Sequence, residues 1–278
     1  MIKKLRQLVL KKVNFSLRKN LNGRCFRIPM LAGLGGAMRR HHEPWMLENL
    51  IQIAGEAGEA GGAFVDVGVN LGQTLLAVKS IEDDWDYVGF EPNPSCLFYV
   101  MNLIQLNQLE RCVIYPFGIA GSTGTVDLRL KSLTGGEGSI VPGFRPESEY
   151  KRRIKVPVMG PEDLPAELSE KVIGVLKVDV EGGELEVFEA MLPLIEKNRP
   201  VIISELLPVY DASTERGSFR KKRQDTLISM MDNLGYSIIR LHPDGRRELL
   251  DEIKVHGDMS LTNYLFVPRD RGASFLSE

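Results

Sequence analysis

Cysteine is scarce. Three in 278 residues (Cys25, Cys96, Cys112), odd in number and without a CxxC spacing, exclude a disulfide framework and a thiolate zinc site. Histidine is nearly as rare: His41 and His42 are adjacent, and His242 and His256 stand alone. No HxxxH or HExxH spacing exists, so no metal is expected. Nowhere do about 18 apolar residues run together, which excludes a membrane-spanning helix. The start is positive (Lys3, Lys4, Arg6), but Lys11 and Lys12 interrupt Leu8-Val9-Leu10 before a signal-peptide core forms. A cytoplasmic location is therefore expected. No internal repeat is present. Asp and Glu are missing from residues 1–40, which carry 11 Lys and Arg; the rest holds 24 basic against 37 acidic residues, a balance of −13. Aromatics in that basic head are limited to Phe15 and Phe26 and no recognition motif appears, so nucleic acid is not an expected partner.

With 43% hydrophobic and 26% charged residues, the chain has enough apolar material for a large core. Short β-branched runs alternate with helix-period stretches, which predicts a doubly wound, mostly parallel α/β sheet of about seven strands. Strands are expected at 63–67, 87–90, 112–115, 172–180, 201–203, 236–241 and 264–267. Helices are expected at 72–80, after Asn93-Pro94, and from about Glu184. The second of these has Leu97, Val100, Met101 and Ile104 on its inner face; the third carries the stripe Leu185, Phe188, Met191, Leu192 and Ile195. A further helix bears Leu227, Met230, Met231 and Leu234, after a charged stretch from Arg216 to Asp225. Residues 118–170 break the rhythm: glycines separate strand-like pieces at 125–130 and 153–158, which reads as an antiparallel excursion with a Gly-rich cover.

Three constellations carry chemistry. In Asp66-Val67-Gly68-Val69-Asn70-Leu71-Gly72, a glycine turn joins a strand to a helix N-terminus, at the sheet end where ligands bind. Asn70 and Gln73 stand where a GxGxxG fingerprint needs glycine, which disfavours a pyrophosphate; a plain strand–turn–helix is the alternative. Glu91 ends the next strand, placed to accept from both ribose hydroxyls of an adenosine-containing ligand. Asn93 either contacts such a ligand or caps its helix. In Lys177-Val178-Asp179-Val180-Glu181, the period of two puts Lys177 and Asp179 on one face. Ionisable groups there are costly unless they pair or meet a ligand. Asp179 is the general-base candidate, Lys177 its partner or an acceptor-orienting group, and Glu181 a ligand contact. A structural Lys–Asp pair with a helix-start acid is the alternative. Asp179, Glu181 and Glu205 together would offer oxygen ligands to Mg²⁺ or Ca²⁺ as a further alternative.

In this order, the pieces resemble the FkbM family of S-adenosylmethionine-dependent methyltransferases. The resemblance rests on Phe64-Val65-Asp66-Val67-Gly68-Val69-Asn70-Leu71-Gly72-Gln73-Thr74, Gly89-Phe90-Glu91-Pro92-Asn93 and Leu176 to Glu186. Ile203-Ser204-Glu205 and Asn263 to Pro268 add weaker matches. It implies a class I methyltransferase (Rossmann-like) fold, seven strands with the last antiparallel, and methyl transfer to a hydroxyl of a sugar, glycan or natural product. It implies that Asp66, Gly68, Asn70 and Gly72 line the methionine end of S-adenosylmethionine and that Glu91 holds the ribose. Asn93 would lie near the ribose, Gly118 would border the adenine, and Asp179 would sit beside the methyl. Family members often carry a histidine shortly after the position of Glu205; Leu206-Leu207-Pro208 stands here. Two other classes stay open: a nucleotide-sugar or NAD-using enzyme, and a non-catalytic binding protein on the same sheet.

The expected layout is a basic, partly helical segment 1–42, a methyltransferase domain 43–270 with the insertion 118–170, and a tail 271–278. Read as a helix, the head puts Ile2, Leu5, Val9, Val13 and Leu17 on one face, with Lys4, Lys11 and Arg18 opposite. That face predicts either peripheral contact of residues 1–20 with the inner membrane surface or a helix packed on the acidic body.

Overall fold

The computed structural model describes residues 14–31, 33–40, 44–58, 62–132 and 138–275. It opens with a hairpin of β1 (Phe15–Leu21) and β2 (Arg24–Met30), paired from Phe15↔Met30 to Leu21↔Arg24. The two-residue connection Asn22-Gly23 has both φ angles positive (48° and 78°), the turn whose twist suits adjoining strands. Residues 15–21 are therefore strand, not the helix expected; the rest of that amphipathic segment, 1–13, lies outside the described residues. Two helices follow, α1 (Gly36–Arg40) and α2 (Pro44–Gly58).

The βα rhythm then runs as expected: β3 (Ala63–Val67), α3 (Gln73–Ile81), β4 (Tyr87–Phe90), α4 (Pro94–Asn107) and β5 (Cys112–Tyr115). The inner face of α4 is rotated from the expected one, burying Cys96, Tyr99, Val100 and Leu103 and leaving Met101 exposed. The hairpin is the reason: it covers that side, Tyr99 donating to the Pro29 carbonyl (2.9 Å) and Asn107 bonding both polar main-chain groups of Arg27 (2.7 and 2.8 Å).

The excursion forms its own sheet: β6 (Gly118–Ile119), β7 (Gly124–Leu130), β8 (Gly138–Ser139) and β9 (Arg152–Met159), in the order β6-β9-β7-β8. After α5 (Ala166–Glu170), β10 (Ile173–Val178) returns to the main sheet. The single helix expected from Glu184 is two, α6 (Glu184–Ala190) and α7 (Leu192–Asn198), because Pro193 cannot donate to the preceding turn. Then come β11 (Val201–Glu205), α8 (Glu215–Asn233), β12 (Tyr236–Leu241), β13 (Arg247–Leu250) and β14 (Asn263–Pro268). The charged stretch 216–225 is the first half of α8, started by Thr214, whose hydroxyl accepts from Gly217 N (3.0 Å).

The main sheet has eight strands, not seven, in the order β13-β12-β14-β11-β10-β3-β4-β5. Leaving out β13, the remaining seven include β14 antiparallel to both its neighbours, β11 and β12. The eighth is β13, folded back on β12 from what reads in sequence as charged loop. Both faces are covered by apolar clusters, and Phe26 and Ile28 of the hairpin belong to one of them. No helix among the described residues is long and apolar enough to cross a membrane.

Candidate functional site

The carboxyl ends of β3, β4, β10 and β11 open into a cavity of about 640 Å³. Gly68, Asn70, Glu91, Asn93, Gly118, Lys177, Asp179 and Glu181 all line it. Asp66 and Gly72 do not. Asp66 is fully buried, one carboxylate oxygen bonded by the Tyr87 hydroxyl and the other 3.3 Å from Lys177 Nζ. It therefore acts behind the cavity wall, through Lys177, and is not a ligand contact. Gly72 forms the left-handed start of α3 (φ 86°) against Leu103 and Val100.

Gly68 is a positional necessity. Its φ is 96°, and a Cβ there would stand 2.0 Å from the Asp179 carbonyl oxygen. The turn after β3 thus presses against the turn after β10, which Asp179 N also ties by donating to the Val67 carbonyl (3.0 Å). Asn70, at φ 53°, donates its N–H to Glu91 Oε2 (2.7 Å), while Asn93 N donates to Oε1 (2.7 Å). Burial outweighs these two bonds and pushes the Glu91 carboxyl up to about 7. Asn93 caps α4: its side-chain oxygen accepts from Ser95 N (3.0 Å).

Lys177 bridges two carboxylates, Asp66 at 3.3 Å and Asp179 at 3.4 Å. Burial alone would lower its pKa, but the two charges prevail and hold it above the ordinary lysine value. Asp179 faces the cavity with its side chain 35% exposed, against 0% for Asp66. One carboxylate thus fixes the lysine and the other is available to a ligand. Glu181 sits at φ 57° and pairs with Arg145 from the excursion. At Gly182 (φ 109°) a Cβ would strike the Phe144 ring at 2.4 Å. Arg220 of α8 donates twice to the Phe144 carbonyl (2.9 and 2.6 Å), so Phe144 and Arg145 pin the excursion against the β10 turn.

Sequence reasoning missed Tyr87, Arg145 and, as a cavity acid in its own right, Glu205. Burial first, then the charges of Asp179 and Glu181, push Glu205 up to about 8. The position of Glu205 at a strand end was the signal available for it. Glu184, buried beneath the turn, accepts from Gly182 N (2.9 Å) and is pushed up to about 7 by desolvation. Among the described residues, no group of His, Cys, Asp and Glu is placed to hold a metal ion. Four acids line the cavity (Glu91, Asp179, Glu181, Glu205) beside Lys19 and Leu21 of the hairpin, Lys131 and Lys177. Leu128, Leu130 and Ile140 of the excursion give it an apolar wall.

The sequence description of the methyltransferase FkbM domain matches residues 66–238. Among solved structures, a methyltransferase FkbM from Methylobacillus flagellatus KT is 16% identical with a TM-score of 0.46. That alignment covers 74% of this chain and 43% of the other, so the chain spans less than half the length of that protein. A caffeoyl-CoA O-methyltransferase candidate from Staphylococcus aureus is 13% identical, with a TM-score of 0.46 and 80% and 81% of the two chains covered. No curated protein matches the chain.

Proposed function

The chain belongs to the FkbM methyltransferase family, and we propose that it transfers a methyl group from S-adenosylmethionine to a hydroxyl oxygen of a sugar, glycan or related natural product. The observation that carries this reading is the pair of strand-end acids in one cavity, Glu91 anchored by two N–H groups and Asp179 held beside Lys177. The cavity's volume of about 640 Å³ leaves room for a nucleoside-sized ligand. Gly68 keeps the wall free of a side chain, and Asp179 and Glu181 line the same cavity.

When bound, S-adenosylmethionine supplies an electrophilic methyl group. The main chain from Gly68 to Asn70, which lines the cavity, would hold the methionine end. Glu91, fixed by Asn70 N and Asn93 N, keeps further lone pairs for ribose hydroxyls. Asp179 would accept the hydroxyl proton of the acceptor, whose oxygen would gain the methyl group as the carbon–sulfur bond breaks and leaves a neutral thioether. Lys177 aims that carboxylate, and Asp66 with Tyr87 keeps Lys177 in place. Alignment supplies most of the acceleration, and a base at Asp179 adds about 10²–10⁴-fold. Leu128, Leu130 and Ile140 exclude water from one side.

Calorimetric titration with S-adenosylmethionine, S-adenosylhomocysteine and NAD tests the cofactor. Binding of the first two without NAD is expected; NAD binding alone overturns the reading in favour of a dinucleotide enzyme. Incubation with a panel of glycans and labelled S-adenosylmethionine tests the chemistry, and binding without transfer to any of them favours a non-catalytic protein. The part of the basic head that precedes β1, residues 1–13, is proposed to bring the protein to an anionic membrane surface. Flotation with anionic liposomes, compared between the whole chain and one lacking residues 1–13, which keeps the β1–β2 hairpin, decides this; equal partitioning overturns it.

A further inference from the structure

Asp179 is one end of a row of three cavity side chains, the others being Glu205 and Asn263. The sheet register builds the row. β10 and β11 pair in parallel up to Val178↔Ser204, so Asp179 and Glu205 are the next residues on neighbouring strand ends. β11 and β14 run antiparallel, and Glu205↔Asn263 is the rung at the cavity end. The period of two along β10 and β11 puts Asp179 and Glu205 on the face of Lys177 and Ile203, which also line the cavity. With neighbouring strands about 4.8 Å apart, the row spans roughly 10 Å. It lies on one side of the switch in strand order between β10 and β3; the Gly68 turn and Glu91, assigned to the cofactor, lie on the other. Thr262, which is buried, donates to Glu205 Oε1 (3.0 Å), so that carboxyl is held in place and keeps further lone pairs. Among the described residues the Asn263 side-chain amide has no hydrogen-bond partner, and it offers two N–H donors and a carbonyl oxygen.

We propose that Glu205 and Asn263 are specificity-determining residues that bind further hydroxyls of the acceptor, beside the one that Asp179 deprotonates. The proposal rests on the methyl-transfer reading of this cavity and narrows it. A carboxyl and an amide side by side match a hydroxyl, which donates to one and accepts from the other. Three such groups in a row select a polyol, such as a sugar ring with neighbouring hydroxyls, over an isolated alcohol or a phenol. Leu128, Leu130 and Ile140, in the same cavity, suit the C–H face of such a ring. The methylated position is then set by which hydroxyl reaches Asp179 once its neighbours are held by Glu205 and Asn263.

Calorimetry on the whole chain loaded with S-adenosylhomocysteine tests this, with methyl glycosides of common monosaccharides and their monodeoxy analogues as probes. In the wild type, removing one ring hydroxyl from the best-bound glycoside is expected to cost roughly 3- to 10-fold in affinity. For at least one hydroxyl, the same removal is expected to cost less than about 2-fold in Asn263→Ala or Glu205→Gln. A merely structural role would weaken every analogue alike, so equal costs in the wild type and both variants overturn the proposal. Binding of none of the glycosides by the loaded wild type overturns it as well. Affinity for S-adenosylhomocysteine is expected to stay within about 3-fold of the wild type in both variants, and a larger loss overturns the assignment to the acceptor. Should Glu205→Gln not fold, Asn263→Ala decides, since it removes a side chain without a hydrogen bond to the described protein. Failure of the wild type to bind S-adenosylhomocysteine overturns the methyl-transfer reading, while the same glycoside comparison on the unloaded chain still decides the role of the row.

Discussion

Asp66 is buried on a strand yet accepts from a tyrosine and a lysine, and the room for this comes from a residue with no side chain. Gly89 lies opposite Asp66 in the β3–β4 register, and a Cβ there would meet Tyr87, Val69 and Ile114 within 3.2 Å. The empty position lets the Tyr87 ring reach across. Tyr87→Phe removes one donor from a buried carboxylate and is expected to cost about 1–3 kcal/mol, read from denaturant midpoints. Gly68→Ala meets both a left-handed φ and the Asp179 carbonyl, so a loss of roughly 2–4 kcal/mol is expected, with cofactor binding lost as well. Asp179→Asn is expected to bind S-adenosylhomocysteine normally while turnover with a glycan acceptor falls about 10²–10⁴-fold; near-wild-type turnover would remove Asp179 as base. Asp179, Lys177 and Glu91 were legible because charge at the end of an apolar strand is costly unless used. Tyr87 was not, because cross-strand register cannot be read from one strand.

At the scale of elements, strands were the readable part. Buried parallel strands are mostly apolar runs, and β3, β4, β10 and β11 appear where such runs stand, with β5 at the sheet edge also where expected. The hairpin was signalled by Asn22-Gly23 between alternating residues, but the cationic head drew attention to a helix period. Missing the hairpin also misplaced the inner face of α4, since a helix's buried side depends on what packs there. The start of α8 was missed although its signal was present: Thr214 is a good N-cap, and the charges after it, taken for a stretch ahead of the helix, are the helix's solvated face. Thr214→Ala is expected to lower stability by about 1 kcal/mol with little effect on cofactor affinity, measured by urea unfolding and calorimetry. The excursion's anchorage by Arg145 and Arg220 could not be read, as it joins segments far apart in sequence.

For the whole molecule, three glutamates, two buried and one half-buried, dominate the response to pH. Glu91, Glu184 and Glu205 are raised from 4.5 to about 7, 7 and 8. An acid whose folded value is raised costs nothing below its unfolded value. The unfolded chain gives up the proton first as pH rises, so stability falls through the interval between the two values. Each acid costs roughly 3–5 kcal/mol once pH exceeds its folded value. The melting temperature is therefore expected to fall by at least about 5 °C between pH 5 and 8.5; a rise over that interval would show these acids to be ionised in the fold. The charge asymmetry takes on a clearer meaning as well. Lys19 and Leu21, from the basic head, stand in the wall of the same cavity as the Gly68 turn.

The order in which the chain is made gives the topology another consequence. β14 lies between β11 and β12, which come before it in sequence. Until Asn263 to Pro268 have left the ribosome, β11 and β12 each present an open edge, and Glu205 lacks Thr262. A nascent chain stalled near residue 255 should hold β3, β4, β5 and β10 yet neither bind cofactor nor resist protease at β11. Extending it by about 15 residues beyond the point where β14 clears the exit tunnel should bring both properties at once. Assembly of the cavity is thus timed by a strand that follows both of its sheet neighbours in the chain.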